Sequence, residues 1–114
     1  MFSVNTKLDV IELLRFGEKN RLVKLNLPKY QKLFNGQQIR FYNNHHPKIE
    51  TIRNIKDLRI YKSFKSLFKY EGNEMLKEVT ECVLRNWDKV KEENEYLLIE
   101  LEPIPKYPIL NSLL

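Results

Sequence analysis

Two glycines set the frame of this chain. Gly17 follows an apolar series, Val10, Ile11, Leu13, Leu14 and Phe16, spaced as one side of a helix, and a residue of positive φ is wanted where such a helix stops. Gly36 sits in Asn35-Gly36 just before Ile39 and Phe41, a strong turn dipeptide followed by strand-spaced apolar residues. Each glycine turn therefore delivers the chain into a strand: Leu22, Val23, Leu25 and Leu27 in the first case, stopped by Pro28, and Gln38 to Tyr42 in the second. Residues 19–36 carry five cations (Lys19, Arg21, Lys24, Lys29, Lys32) and no acid. A turn-and-strand frame bearing only positive charge predicts a seat for an anionic ligand.

The remaining chain continues the alternation. Phe2 and Val4 predict a short edge strand over 1–5, and Thr6-Lys7-Leu8-Asp9 a loose capping box opening the first helix. Tyr30 to Phe34 reads as a connection tucking Leu33 or Phe34 inward. Asn43 to Pro47 is a run of five turn formers. Ile49 to Tyr61 reads either as one long strand or as two strands separated by a bulge or turn at Asn54–Asp57. Ser63 is a good N-cap for a short helix through Phe68 that turns at Glu71-Gly72-Asn73. Asn73 then caps the clearest helix, Glu74 to Asp88, with Met75, Leu76, Val79, Cys82, Val83 and Trp87 on one face. Lys89 to Asn94 reads as a charged linker, Glu95 to Glu102 as a last strand with Leu97, Ile99 and Leu101 on one face, and residues from Pro103 as an apolar, proline-bearing tail. Strands with helices inserted between them describe an α+β fold or small mixed barrel.

Charge is distributed unevenly. Residues 19–69 hold 13 Lys/Arg against two acids, whereas residues 70–114 hold five against ten. A basic middle followed by an acidic end predicts a single-sign face for phosphates. No apolar run approaches a membrane span, and charges scattered through the first twenty residues do not read as a signal peptide. One cysteine, Cys82, cannot form an internal disulfide, which predicts a reducing compartment, cytoplasmic or (in a eukaryotic or viral setting) nuclear. His45-His46 with one distant cysteine falls short of a four-ligand zinc site, so the pair reads as a hairpin tip and no metal or cofactor is expected.

With these residues in place, the chain resembles the ASCH domain family of the PUA-like superfamily. Gly17 and Lys19 match the start of that family's Gly-x-Lys-x-x-Glu-x-Arg strand motif. Asn35-Gly36-Gln37 with Ile39-Arg40-Phe41, then Tyr61-Lys62-Ser63-Phe64, then Trp87 followed by Glu95 to Glu100, match its later segments. The resemblance spans nearly the whole chain and implies a PUA-like mixed β-barrel over 1–104 with a tail over 105–114. The motif's acid position is Leu22 and its arginine position is Lys24. It implies an RNA or other nucleic-acid binding module with Lys19, Arg21, Lys24, Lys29 and Arg40 on phosphates and Tyr42 as a stacking surface, Tyr61 or Phe64 being alternatives for that role. A competing expectation is a hydrolase acting on modified nucleosides or RNA, centred on Lys19 with Glu71 or Glu74 as proton shuttle; Leu22 can neither attack nor move a proton. A third is a protein-interaction domain whose apolar C-terminal tail docks on a protein partner or on a second copy.

Overall fold

A computed structural model describes residues 1–89 and 94–105. The element order is β1 (Phe2–Asn5), α1 (Leu8–Arg15), β2 (Arg21–Leu25), β3 (Gln38–Asn43), β4 (His46–Tyr61), α2 (Phe64–Glu71), α3 (Leu76–Arg85) and β5 (Tyr96–Leu101). Single 3-10 turns lie at Pro28–Tyr30, Asn73–Met75 and Trp87–Lys89. Strand neighbours run β1-β3-β4-β5-β2. β1 lies parallel to β3, while β3–β4 and β2–β5 are antiparallel. The fold is α+β with a mixed sheet, and the sheet is open where a closed barrel was expected. One edge explains why: the Val23 N–H on β2 donates to Glu78 Oε1 at 2.8 Å, so a side chain from α3 occupies a site that a further strand would need.

The chain's contacts group into two units, one formed by Met1–Asn20, Gln38–Asn54 and the segment from Leu101, the other by Arg21–Gln37 and Ile55–Glu100. In the first unit α1 packs on β3, with Ile11, Leu14, Ile39 and Phe41 fully buried. The capping box does not form. Lys7 is the N-cap and makes no side-chain cap, and the Thr6 hydroxyl turns back to Val4 O at 3.1 Å. The helix stops as expected: Gly17 has φ 75°, and Glu18 and Lys19 N–H groups both donate to Leu13 O at 2.9 and 3.1 Å. A β-carbon at Gly17 would also lie 3.3 Å from Ile104 Cβ, so both conformation and space require glycine. The β3–β4 turn is shorter than the five turn formers suggest, because His46 already pairs with Asn43. Asn43 makes this possible by donating to Thr6 O at 2.9 Å and accepting from the His45 N–H at 2.9 Å.

In the second unit α3 packs on β2. Val23, Leu25, Leu67, Met75, Val79, Cys82, Tyr96 and Leu98 form its core. Tyr30 and Leu33 are buried and Phe34 is exposed, which resolves the choice between Leu33 and Phe34. β4 is one continuous strand, without a break at Asn54–Asp57. Ile55 exchanges hydrogen bonds with Gly36 N–H and Gln37 O at 2.7 and 2.9 Å, which keeps the backbone extended there. Ser63 caps α2 by accepting from the Ser66 N–H at 3.2 Å, and Gly72 at φ 99° ends it. The expected Glu74–Asp88 helix is broken into a 3-10 turn, α3 and a second 3-10 turn. Asn86 leaves helical geometry and its side chain donates to Cys82 O at 2.9 Å, so Trp87 falls out of phase and is 70% exposed, contrary to its expected place on the buried face. Leu76 is exposed too. β5 is buried on both faces, Tyr96 and Leu98 as well as Leu97, Ile99 and Leu101, where one apolar face was expected. Cys82 is a core thiol, its pKa pushed up by burial. The tail residues Ile109, Leu110, Leu113 and Leu114, and most of the Lys89–Asn94 linker, lie outside the described residues. Among the described residues no helix is long and apolar enough to cross a membrane.

Candidate functional site

The second unit holds a dense arginine–carboxylate cluster. Asp57, Arg59 and Tyr61 alternate along β4 and so share one face of that strand. Glu71, the last residue of α2, meets this face and is only 9% exposed. Arg59 grips it bidentately, Nε to Oε2 at 2.8 Å and Nη2 to Oε1 at 3.0 Å. Arg21 on β2 donates to Glu71 Oε1 at 3.2 Å and to the Glu71 carbonyl at 2.8 Å, satisfying an orphan acceptor at the helix end. The Tyr61 hydroxyl donates to Oε2. The guanidinium of Arg59 is the largest influence on Glu71 and, with the other donors, holds its pKa down at about 2.

A rim of further ions surrounds this pair. Arg59 also donates to Asp57 at 2.7 Å and Glu100 at 2.9 Å, Lys56 reaches Glu100 at 3.3 Å, and Arg21 reaches Glu74 at 2.7 Å. Hydrogen bonding to Glu71 raises the Arg59 pKa, and bonding to Glu74 raises that of Arg21. Three cations (Arg21, Lys56, Arg59) meet four acids (Asp57, Glu71, Glu74, Glu100), so the cluster is close to neutral in itself, while the other ten Lys/Arg of residues 19–69 lie outside it. A carboxylate held near 2 is a weak base and stays ionised at neutral pH, which suits binding geometry better than proton transfer.

Beside the cluster lies an aromatic and basic surface. Tyr61 and Tyr70 stack with ring centroids 6.0 Å apart and planes inclined by 20°. Tyr70 is 69% exposed and Lys69 Nζ lies 5.6 Å from its ring centre. Lys62, Lys65 and Phe64 are exposed on the same short segment, with Phe64 tilted against Phe68 at 6.0 Å.

The sequence-predicted residues divide between the units. Arg21, Lys24 and Lys29 belong to the second, together with Glu71 and Glu74; Lys19, Arg40 and Tyr42 belong to the first. Arg21 is engaged by Glu71 and Glu74. Lys24 is three residues along β2 and so points to the opposite face, its pKa lowered by burial and by Arg85. Lys29 Nζ stands 5.1 Å over the Tyr30 ring. Arg40 pairs with Glu50 and lies 4.7 Å over the Tyr42 ring. Leu22, at the motif's acid position, is buried opposite Ile99 in the β2–β5 ladder. Sequence reasoning missed Arg59, whose alternation with Asp57 and Tyr61 was the available signal, and Tyr70, which nothing in the sequence distinguishes from a core aromatic. Among the described residues no group of three or more His, Cys, Asp or Glu side chains is placed to hold a metal ion.

These features define a class: an α+β domain with an open mixed sheet carrying an internally neutralised arginine–carboxylate cluster. No family model matches the chain, and no curated protein matches it either. Among solved structures, the crystal structure of hypothetical protein PH0355 is similar, with a TM-score of 0.62 and 25% identity over 90% of this chain and 98% of that one.

Proposed function

We propose that this chain is a binding domain for single-stranded nucleic acid, RNA in the first place, of the kind its resemblance to the ASCH family implies. The stacked Tyr61–Tyr70 pair beside Lys62, Lys65 and Lys69 carries the reading. Exposed aromatics take bases of any identity on their faces, while neighbouring ammonium groups follow the backbone phosphates. The Glu71 cluster holds this surface in place through the Tyr61 hydroxyl. In the first unit, Arg40 over Tyr42 offers a smaller patch of similar chemistry, and Lys19 there and Lys29 in the second unit add positive charge rather than stacking. The low pKa of Glu71 and the burial of Leu22 favour this reading over the nucleoside or RNA hydrolase centred on Lys19.

The test is fluorescence anisotropy with a labelled single-stranded RNA against a duplex of the same sequence, across a salt series. Binding should favour the single strand and weaken steeply with salt. Tyr70→Ala should lower affinity by about 1–3 kcal/mol. Absence of binding at low salt, or binding that Tyr70→Ala leaves untouched, overturns the proposal.

A further inference from the structure

Lys24 occupies an unusual place for a lysine. It is half-buried on β2, the end strand of the sheet order, and among the described residues its ammonium makes no hydrogen bond or ion pair. Lysine is rarely drawn out of water without a partner, because nothing then replaces the lost hydration. Burial is accordingly the largest influence lowering its pKa.

Two further cations converge on it from other segments. Leu25 and Cys82 pack in one core cluster, which sets α3 alongside this part of β2. Arg85 follows Cys82 by three residues and so extends from the same side of the helix. Lys29 lies in the 3-10 turn after β2, its Nζ 5.1 Å over the Tyr30 ring. Arg85 and Lys29 both stand close enough to depress the Lys24 pKa further, and Arg85 also acts on Tyr30. Glu78 is the carboxylate that opposes them, and its Oε1 already accepts from the Val23 N–H at 2.8 Å. Among the described residues Arg85 makes no hydrogen bond or ion pair either. Three cations against one carboxylate leave an excess of positive charge here, in contrast to the near-neutral cluster around Glu71. Holding like charges together is unfavourable until an anion enters between them.

We propose that Lys24, Lys29 and Arg85 form a binding site for a phosphate group, either of a small phosphorylated compound or of a nucleic-acid strand. Two ammonium groups supply point charges and the guanidinium supplies paired donors to phosphate oxygens. The site does not use the Tyr61–Tyr70 surface and does not rest on it. The test is an NMR titration of the chain with inorganic phosphate at pH 7, with sodium chloride of equal ionic strength as the control. Phosphate should give saturable shifts centred on Lys24, Leu25 and Arg85, with a dissociation constant of about 1 mM. Lys24→Met and Arg85→Ala should each weaken phosphate binding about tenfold, whereas Lys77→Met, elsewhere on α3, should not. Lys24→Met should also unfold at or above the wild-type midpoint without phosphate, since it removes an unpartnered charge; a merely structural lysine would lower it. Arg85 is exposed, so Arg85→Ala keeps the test decisive if the first variant fails to fold. RNA anisotropy then separates the sources: Lys24→Met weakens RNA binding if strand phosphates fill the site, and spares it if a small phosphate compound does. Shifts no different from those with chloride, or variants that bind phosphate like wild type, overturn the proposal.

Discussion

Arg53 and Arg59 stand six residues apart on β4 and solve the same problem in opposite ways. Arg53, in the first unit, is 4% exposed and among the described residues pairs with no acid side chain. It donates to Leu14 O at 2.6 Å, Lys19 O at 3.2 Å, Asn20 Oδ1 at 2.6 Å and Glu102 O at 2.8 Å. Those acceptors lie at the end of α1, in the turn after Gly17 and in the chain beyond β5, so one guanidinium ties three segments. Desolvation lowers its pKa without an opposing charge. Arg59, in the second unit, is surrounded by carboxylates and its pKa rises. One arginine is a brace made of carbonyls; the other is the centre of an ion network. Backbone carbonyls cannot titrate, so the brace is indifferent to mild acid. Carboxylates titrate, so the network is not.

The comparison can be broken most severely at Arg53. Replacing it by Met should destabilise the protein by about 3–5 kcal/mol, since several carbonyls lose their donor together. Urea unfolding at pH 7 measures this, and Arg53→Lys should recover less than half, because a single ammonium cannot span the fork. If Arg53→Met costs no more than a surface substitution, the brace is not structural.

Glu71 sharpens the contrast through pH. Its folded pKa is depressed from 4.5 to about 2, so its contribution is fully present above about pH 4.5 and is lost as pH falls toward 2. Its partners Arg21 and Arg59 keep about a third of their side-chain surface in water, which trims the contribution to about 2–3 kcal/mol. Glu71→Gln should lower stability at pH 7 by that order and flatten the acid limb between pH 4.5 and 2. An unaltered acid limb in the variant would mean other carboxylates govern it. The smallest effect belongs to Asp57 at the rim: Asp57→Ala should leave the unfolding midpoint near wild type, because an exposed ion pair contributes little.

Much of the fold was legible because it rests on local rules. Gly17, Pro28, Gly36, Ser63 and Gly72 mark ends or starts of elements by conformations that neighbouring residues do not alter. The strand alternation of Ile39 and Phe41 was likewise readable, since both are buried as that spacing requires. Less could be read where a remote side chain decided the outcome. Asn86 turning onto Cys82 O moved Trp87 out of the core. Glu78 taking the Val23 N–H left the sheet open. The coverage of both faces of β5 depended on partners far away in sequence.

By itself the sequence determined where helices and strands begin, that they mix in one α+β fold, and that positive charge is concentrated in its middle. These follow from φ preferences, apolar periodicity and counting. Only the tertiary structure decided what the charge is used for. Arg21 is brought to Glu71 and Glu74 across about 50 residues, and Arg59 to Glu71 and Glu100. Coulomb energy depends on distance in space and not in sequence, so a few members of a basic block and an acidic block that look like two separate surfaces fold into one neutral cluster.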